Sequence, residues 1–500
     1  MKTAQVMSAA RLAALALAML GAHVAAQAAT YTVGPGQSIQ AAVNAAVAGD
    51  TVLVQAGIYT QKVLVSGKNG AAGAAITLKG EPGAIISGAG LRPSGREGLI
   101  TVRNSSHFRV EGFTVTGFAT GSAGDSPVGI LVTGNGTRVQ IVNNKIHGIK
   151  HLSTCADPCL VGAHGLAVFG TDTTGITDLL VQGNEVYGNL LQASEALVIN
   201  GNVDRFEVLF NDVHDNNNIG YDFIGYEGEC AACGENDRVR NGLVRGNRAA
   251  NNSTINNPWY GGEGSAAGFY VDGGRNIVFE RNIATLNDIG FEFASEHPGK
   301  ATEDILMTNN LVYLNREAGV SLGGYAAGLG EARRIHVNNN SFYRNKGWGT
   351  EIVLQHKVLN SHFNNNIIVG ATSVVDSVDN SGSGSSGNVW GVNLWFAPNT
   401  SNVAVPGARL VQDPRYVDPA NGNLRLQAGS PAIGKGVAGA ALGGWSSPLW
   451  SRHYRPGAIP ANGSRDLDGQ SRVEGGSLDL GADEFGTASP ALCGAMGACS

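Results

Sequence analysis

A short motif recurs through the middle of the chain and limits what it can fold into. VQIVNNKI (139–146), LLVQGNEV (179–186), FEVLFNDV (206–213), GLVRGNRA (242–249), NIVFERNI (276–283), DILMTNNL (304–311), RIHVNNNS (334–341) and SHFNNNII (361–368) each run an alternating strand into an asparagine. These asparagines are residues 144, 184, 211, 247, 282, 310, 340 and 366, spaced 26 to 40 residues apart. A second asparagine often follows five residues later, at Asn189, Asn216, Asn252, Asn287, Asn315 and Asn345. One such unit cannot bury its apolar face alone, whereas stacked units share a continuous core. Equivalent asparagines then lie about 4.8 Å apart, one coil to the next. Asparagine also tolerates the left-handed backbone of a tight turn. The pattern predicts an asparagine ladder along a parallel β-helix. A propeller needs longer blades with regular hairpins, and the variable spacing does not suit it.

The ends of the chain set its organisation. MKTAQVMSAARLAALALAMLGAHVAAQA combines Lys2 and Arg11, an apolar run from Leu12 to Leu20 and small residues Ala26 and Ala28. It reads as a secretory signal peptide over 1–28, too short in its apolar part to span a bilayer comfortably. Its removal takes the formal charge from −6 to −8, through the loss of Lys2 and Arg11. A mildly acidic surface gives no reason to expect nucleic acid as a partner. Next, 31–59 reads as strand, short amphipathic helix and strand, with Ile39, Ala42, Val43 and Ala46 at helical spacing. That helix would close the N-terminal end of the stack. The six cysteines form three close pairs, Cys155/Cys159, Cys230/Cys233 and Cys493/Cys499. In an exported chain they read as local disulfides. A zinc site built from the first two pairs is the alternative.

The repeat resembles that of the right-handed parallel β-helix, or pectin-lyase-like, superfamily of secreted carbohydrate-active proteins. The resemblance covers roughly 31–400 and implies an all-β, right-handed, single-stranded parallel β-helix with an N-terminal capping helix and a C-terminal cap. The β-helix domain is assigned to 29–400 and the cap to 401–500. Within the cap, LRLQAGSPAIGKG (424–436) and RDLDGQSRVEGGSLDLGADEF (465–485) resemble the tails of secreted bacterial β-helix proteins, sometimes described as choice-of-anchor segments. Asp466, Asp468, Asp479 and Asp483 there serve either Asx turns or calcium.

One strand per coil can be aligned by its glycine and its alternation: GLAVFGTD (165–172), ALVINGNV (196–203), GYDFIGYE (220–227), GFYVDGGR (268–275), GFEFASEH (290–297), GVSLGGYA (319–326) and EIVLQHKV (351–358). Tyr221/Phe223, Phe269/Val271 and Phe291/Phe293 fall inward. Because strands alternate with a period of two, Val198, Asp222, Tyr270, Glu292 and Ser321 form one outward column. Asn200, Ile224, Asp272, Ala294 and Gly323 form a second. Acidic residues are depleted from strands, yet Asp222, Asp272 and Glu292 occupy the solvent side of three successive coils. Glu227, Glu296 and His297 follow just beyond. A neighbouring coil and a two-residue offset put Asp272 and Glu292 within about 5–9 Å, the range of glycosidase carboxylate pairs. Like charges that close raise one pKa and keep one group protonated as a general acid. Insertions at 155–165, 226–240 and 253–267 would wall a groove, with Trp259, Tyr260, Tyr226, Tyr270 and Tyr325 offering faces to sugar rings and Arg275 near by.

The two strands also bear a local similarity to the β-helix β-xylosidase family, in which an Asp in a G-aromatic-apolar-Asp strand is followed on the next coil by a catalytic Glu near a His. It implies Asp272 in GFYVDG as nucleophile or base, and Glu292 or Glu296 in GFEFASEH as acid. Asp222 would tune the charge and His297 would orient a carboxylate. The expected function is secreted glycoside hydrolysis on a polysaccharide or oligosaccharide by a monomer without a membrane span. Two alternatives stand beside it. A polysaccharide lyase would need a base such as Lys300, His356 or Lys357, with Arg275, Arg240 or calcium neutralising a uronate. A glycan-binding surface protein would need no catalytic pair. No cofactor is certain from the sequence; calcium is a candidate.

Overall fold

The computed structural model describes residues 28–345, 350–371, 378–379, 382–396, 409–439, 460–473 and 476–486. The signal-peptide assignment and the Cys493/Cys499 pair lie outside them. The chain winds as a right-handed parallel β-helix. Among the described residues, three long parallel sheets of 15, 11 and 13 strands are built as the coils contribute to each face in turn. The first sheet runs from Thr30–Val33 to Val389–Trp390, the second from Val63–Ser66 to Val378–Asp379, and the third from Gly57–Tyr59 to Arg409–Val411. The third sheet thus continues past residue 400, the expected end of the coiled region.

Two asparagine ladders hold the corners on either side of the third sheet. In the first, each amide Nδ2 donates to the Oδ1 of the next coil's asparagine and to a backbone carbonyl of the preceding coil. Asn211, for example, donates 3.0 Å to Asn247 and 3.0 Å to the Val181 carbonyl. Its Oδ1 takes both the N–H and the Nδ2 of Asn184, each at 2.9 Å. The ladder runs one rung beyond the eight read from sequence, to Asn393. The second ladder runs from Asn189 through Asn345 and closes on Glu351, which accepts from the N–H and Nδ2 of Asn345 at 3.0 and 2.6 Å. Each buried group left unpaired by loss of a rung would cost about 1–3 kcal/mol.

The glycine at the start of several strands of the second sheet has a packing cause. A Cβ on Gly268 would stand 2.7 Å from Asn287 Nδ2 and 2.9 Å from the Gly290 carbonyl, and one on Gly290 would stand 2.5 Å from the Gly319 carbonyl. Inside, Tyr221, Phe269 and Phe291 stack at 4.6 and 4.7 Å between ring centroids. At the N-terminal end, Ile39–Ala45 is a helix capped by the Ser38 hydroxyl, with Ile39 and Val43 buried against the open coil.

The described tail packs against the side of the coil stack. Ala432, Leu467, Leu480 and Ala482 pack along the outside of the third sheet on Ile283, Leu311, Ile367 and Leu394. Asn309 and Asn339 donate to backbone carbonyls of the same tail. The cause is an apolar outer stripe on these strands, which water would otherwise meet. The zinc alternative falls, because Cys155–Cys159 and Cys230–Cys233 are disulfides.

Candidate active site

Pairing in the second sheet sets the outer columns. Val198 pairs with Asp222, Asp222 with Tyr270, Tyr270 with Glu292, and Glu292 with Ser321. Asp272 pairs with Ala294, in the column two residues on. The strand alternation therefore delivers Asp222, Asp272 and Glu292 to one face, as the spacing predicts. These acids do not lie open to solvent, however. Asp222 is 2% and Asp272 4% exposed, and Glu292 is half-buried. Tyr260, from the 253–267 insertion, lies near enough to feel the charges of Glu195, Glu296 and Asp222.

The walls are built by contacts between loops far apart in sequence. Asn257 caps the short helical turn Pro258–Tyr260 and donates to the carbonyls of Gln192 and Asn217, each at 2.8 Å. Trp259 Nε1 donates 3.0 Å to the Cys159 carbonyl, which docks one disulfide loop on another insertion. Tyr260 packs edge-on against Trp259 and accepts from Asn218 Nδ2. On another side, Asp237 accepts from the N–H groups of Gly228 and Cys230, shaping the second disulfide loop. Glu229 of that loop makes a two-pronged ion pair with Arg96 at 2.9 and 2.6 Å.

Within these walls the acids are tightly coupled. Asp272 Oδ1 accepts from the Glu296 N–H at 2.8 Å, and its Oδ2 lies 3.7 Å from His297 Nε2. Burial, then the charge of Glu296, pushes the Asp272 carboxyl well above the usual range. Burial, followed by Glu195 and Asp272, does the same to Asp222. Glu292 is pushed up to about 8 by burial and then by Glu296. Glu296 itself is exposed, and the Tyr270 hydroxyl donates to it at 3.1 Å. Glu227 reaches water and accepts from Asn200 Nδ2 at 2.7 Å.

Sequence reasoning missed Glu195. Burial, then Glu227, holds it protonated up to about 8, and its Oε2 lies 3.5 Å from His164 Nδ1. His164 is kept neutral by burial and by Arg96, its pKa falling to about 3. Glu195 sits just ahead of the strand Leu197–Gly201, outside the alternation that reveals the other acids. The signal was its position beside an aligned strand of the acidic face.

Other expected residues divide. Tyr270 and Tyr260 belong to the acidic groove. Tyr325 is 65% exposed, with Glu296 and Asp272 raising its pKa after burial. Tyr226 turns to the rim, where its hydroxyl meets Arg238 and Glu235. Arg275 lies past the Gly273–Gly274 corner on the first sheet, 3.9 Å from both Glu303 and Asp304. The bases considered for a lyase are engaged elsewhere, Lys300 with Glu235, Lys357 with the Leu329 carbonyl and His356 with Ser383, and so is Arg240, considered for the uronate, with Asn202. Among the described residues, no group of three or more His, Cys, Asp or Glu is arranged to hold a metal ion. Nor is any described helix long and apolar enough to cross a membrane.

Fold and site together define a β-helix protein with a cluster of carboxyl groups on the outer face of one sheet, bordered by two disulfide-closed loops. The chain is 35% identical over 422 residues to the uncharacterized protein YwoF of Bacillus subtilis (strain 168), an alignment spanning 80% of this chain and 88% of that protein. It belongs to the family of that protein. No protein-family model matches the sequence. Similar solved structures include the GH136 lacto-N-biosidase from Eubacterium ramulus (13% identity, TM-score 0.49, 77% of this chain and 67% of that one). Others are the alginate lyase from Paenibacillus sp. str. FPU-7 (15%, 0.46, 66% and 99%) and pectate lyase Pel9A (16%, 0.45, 91% and 96%).

Proposed function

We propose that the protein is a carbohydrate-active enzyme that hydrolyses glycosidic bonds in the groove of the second sheet. The observation that carries this reading is the contrast within one acid cluster. Glu292 stays protonated near neutral pH, while the adjoining Glu296 is open to water and steadied by Tyr270. General acid–base chemistry pairs a proton donor with a second carboxyl group that water and substrate can reach. Glu292 would give its proton to the leaving oxygen as the glycosidic bond breaks. Glu296 would take a proton from the water whose oxygen adds to the anomeric carbon, or attack that carbon itself. Asp272 supports both by holding the Glu296 backbone and facing His297. The two short disulfides fit an oxidising, extracytoplasmic compartment.

The second reading is β-elimination from a uronate polymer. Its support is His297, whose Nε2 is buried and has no hydrogen-bond partner. Against it stands the engagement of the cations considered for it, Lys300, Lys357, His356 and Arg240, with other groups. Product analysis after incubation with a panel of plant, algal and bacterial glycans tests both. New reducing ends with saturated products support hydrolysis. Ultraviolet absorbance from unsaturated sugars would replace it with elimination. Binding without any cleavage would leave a glycan-binding protein.

A further inference from the structure

The charge and hydrogen-bond deficits of the groove describe what should fill it. Glu195, Asp222, Glu227, Asp272, Glu292 and Glu296 share the face. Of the nearby cations, Arg96 is committed to Glu229 and its guanidinium lies 3.8 Å over the Phe169 ring. Two deeply buried acceptors on adjacent coils also lack any donor. Asp222 Oδ1 is unpartnered. So is Asn200 Oδ1, whose amide orientation is fixed because its Nδ2 donates to Glu227. Both residues are at least 98% buried. A buried acceptor without a donor is costly, so the missing component brings N–H or O–H groups. A uronate brings mainly acceptors. An ammonium group brings three donors, no acceptor and a positive charge.

Resting on the glycosidase reading, we infer that the groove takes an amino sugar bearing a free ammonium group, so that the substrate class is a partly or wholly de-N-acetylated hexosamine glycan. The ammonium sits against Asp222 and Glu227, with Asn200 Oδ1 as a neutral acceptor beside them. The flanking rings of Tyr260 and Tyr270 lie against the apolar side of the sugar. Once the cation is bound, the carboxylates no longer face only one another.

The test uses the full-length protein and matched oligomers of glucosamine and galactosamine, each free or N-acetylated, with a neutral glucan and a uronate polymer beside them. The expected result is a kcat/KM at least about tenfold higher on the free amine than on its acetylated twin, a ratio that shrinks as salt is added. The Glu227→Gln variant, with melting temperature recorded as a folding control, should narrow that ratio. Should the acetylated or neutral glycan be cleaved as fast as the free amine, the amine assignment is overturned and the hydrolase reading survives. Preference for the uronate overturns the amine assignment as well. Calorimetric binding of the amine oligomer without cleavage keeps the amine assignment and removes the hydrolase. Absence of both binding and cleavage across the series overturns both.

Discussion

Two glutamates, a corner apart on the same stack, have opposite fates. Glu303, on the first sheet, meets Arg238, Arg333 and Arg334 at 3.1, 2.8 and 2.6 Å. Burial pushes its pKa up, but the three guanidinium groups outweigh that and hold it down at about 2. Glu292, on the second sheet, has burial and Glu296 acting in the same direction, and rises to about 8. The first face resolves its charge within the fold. The second leaves it unresolved, which stability alone would not favour. That difference separates an acid that maintains the structure from acids available for chemistry.

The largest effect expected from this contrast is catalytic. On the glycan that proves to be the substrate, Glu296→Gln should lower kcat/KM by about 10²–10⁴ with an unchanged melting curve. Retained turnover would remove Glu296 from the mechanism. The mirror-image variant is Glu303→Ala, which leaves Arg238 buried without its carboxylate. It should cost about 3–5 kcal/mol of stability in a denaturant titration, whereas Glu292→Gln costs far less. Equal losses at the two sites would end the comparison. The smallest effect is a slope. Glu292 binds its proton more tightly folded than unfolded, so its contribution is complete below about pH 4.5 and is lost as the pH rises towards about 8. Glu303 has the reverse sign, its contribution present above about 4.5 and lost as the pH falls towards 2. The melting temperature should therefore decline between pH 5 and 8, and less steeply in Glu292→Gln. A parallel decline in wild type and variant would mean Glu292 is not protonated in the fold.

The architecture was open to reading because it is written locally. Each asparagine follows a strand of fixed alternation, and the strand glycines mark a common register, so the sequence alone puts Asp222, Tyr270, Glu292 and Ser321 in one column. What the sequence could not convey was depth. Asp272 is faced by the Glu296 N–H and the His297 ring of the next coil, while Trp259 and Cys159, far apart in sequence, join two of the insertions, and no spacing encodes contacts of either kind. Arg275 misled for the opposite reason. Three residues from Asp272, it is carried to another face by Gly273 and Gly274. The path of the tail was partly legible, since Ile283, Leu311 and Ile367 put apolar groups on the outer side of the third sheet. That stripe needed a partner, and only the three-dimensional fold identified it as Leu467, Leu480 and Ala482.

The asparagine ladders also give the stack a direction. Every rung hands its amide hydrogen towards the next coil and receives one from the coil before, like couplings that all face one way along a train. A whole coil can in principle be removed or duplicated and the couplings will still meet. A partial coil leaves a mismatch at both corners. The second ladder ends on Glu351, whose carboxylate accepts from Asn345 and has no amide to pass on. Growth of the stack by repetition is therefore favoured among the interior coils, upstream of that terminus, where the groove and its carboxylates lie.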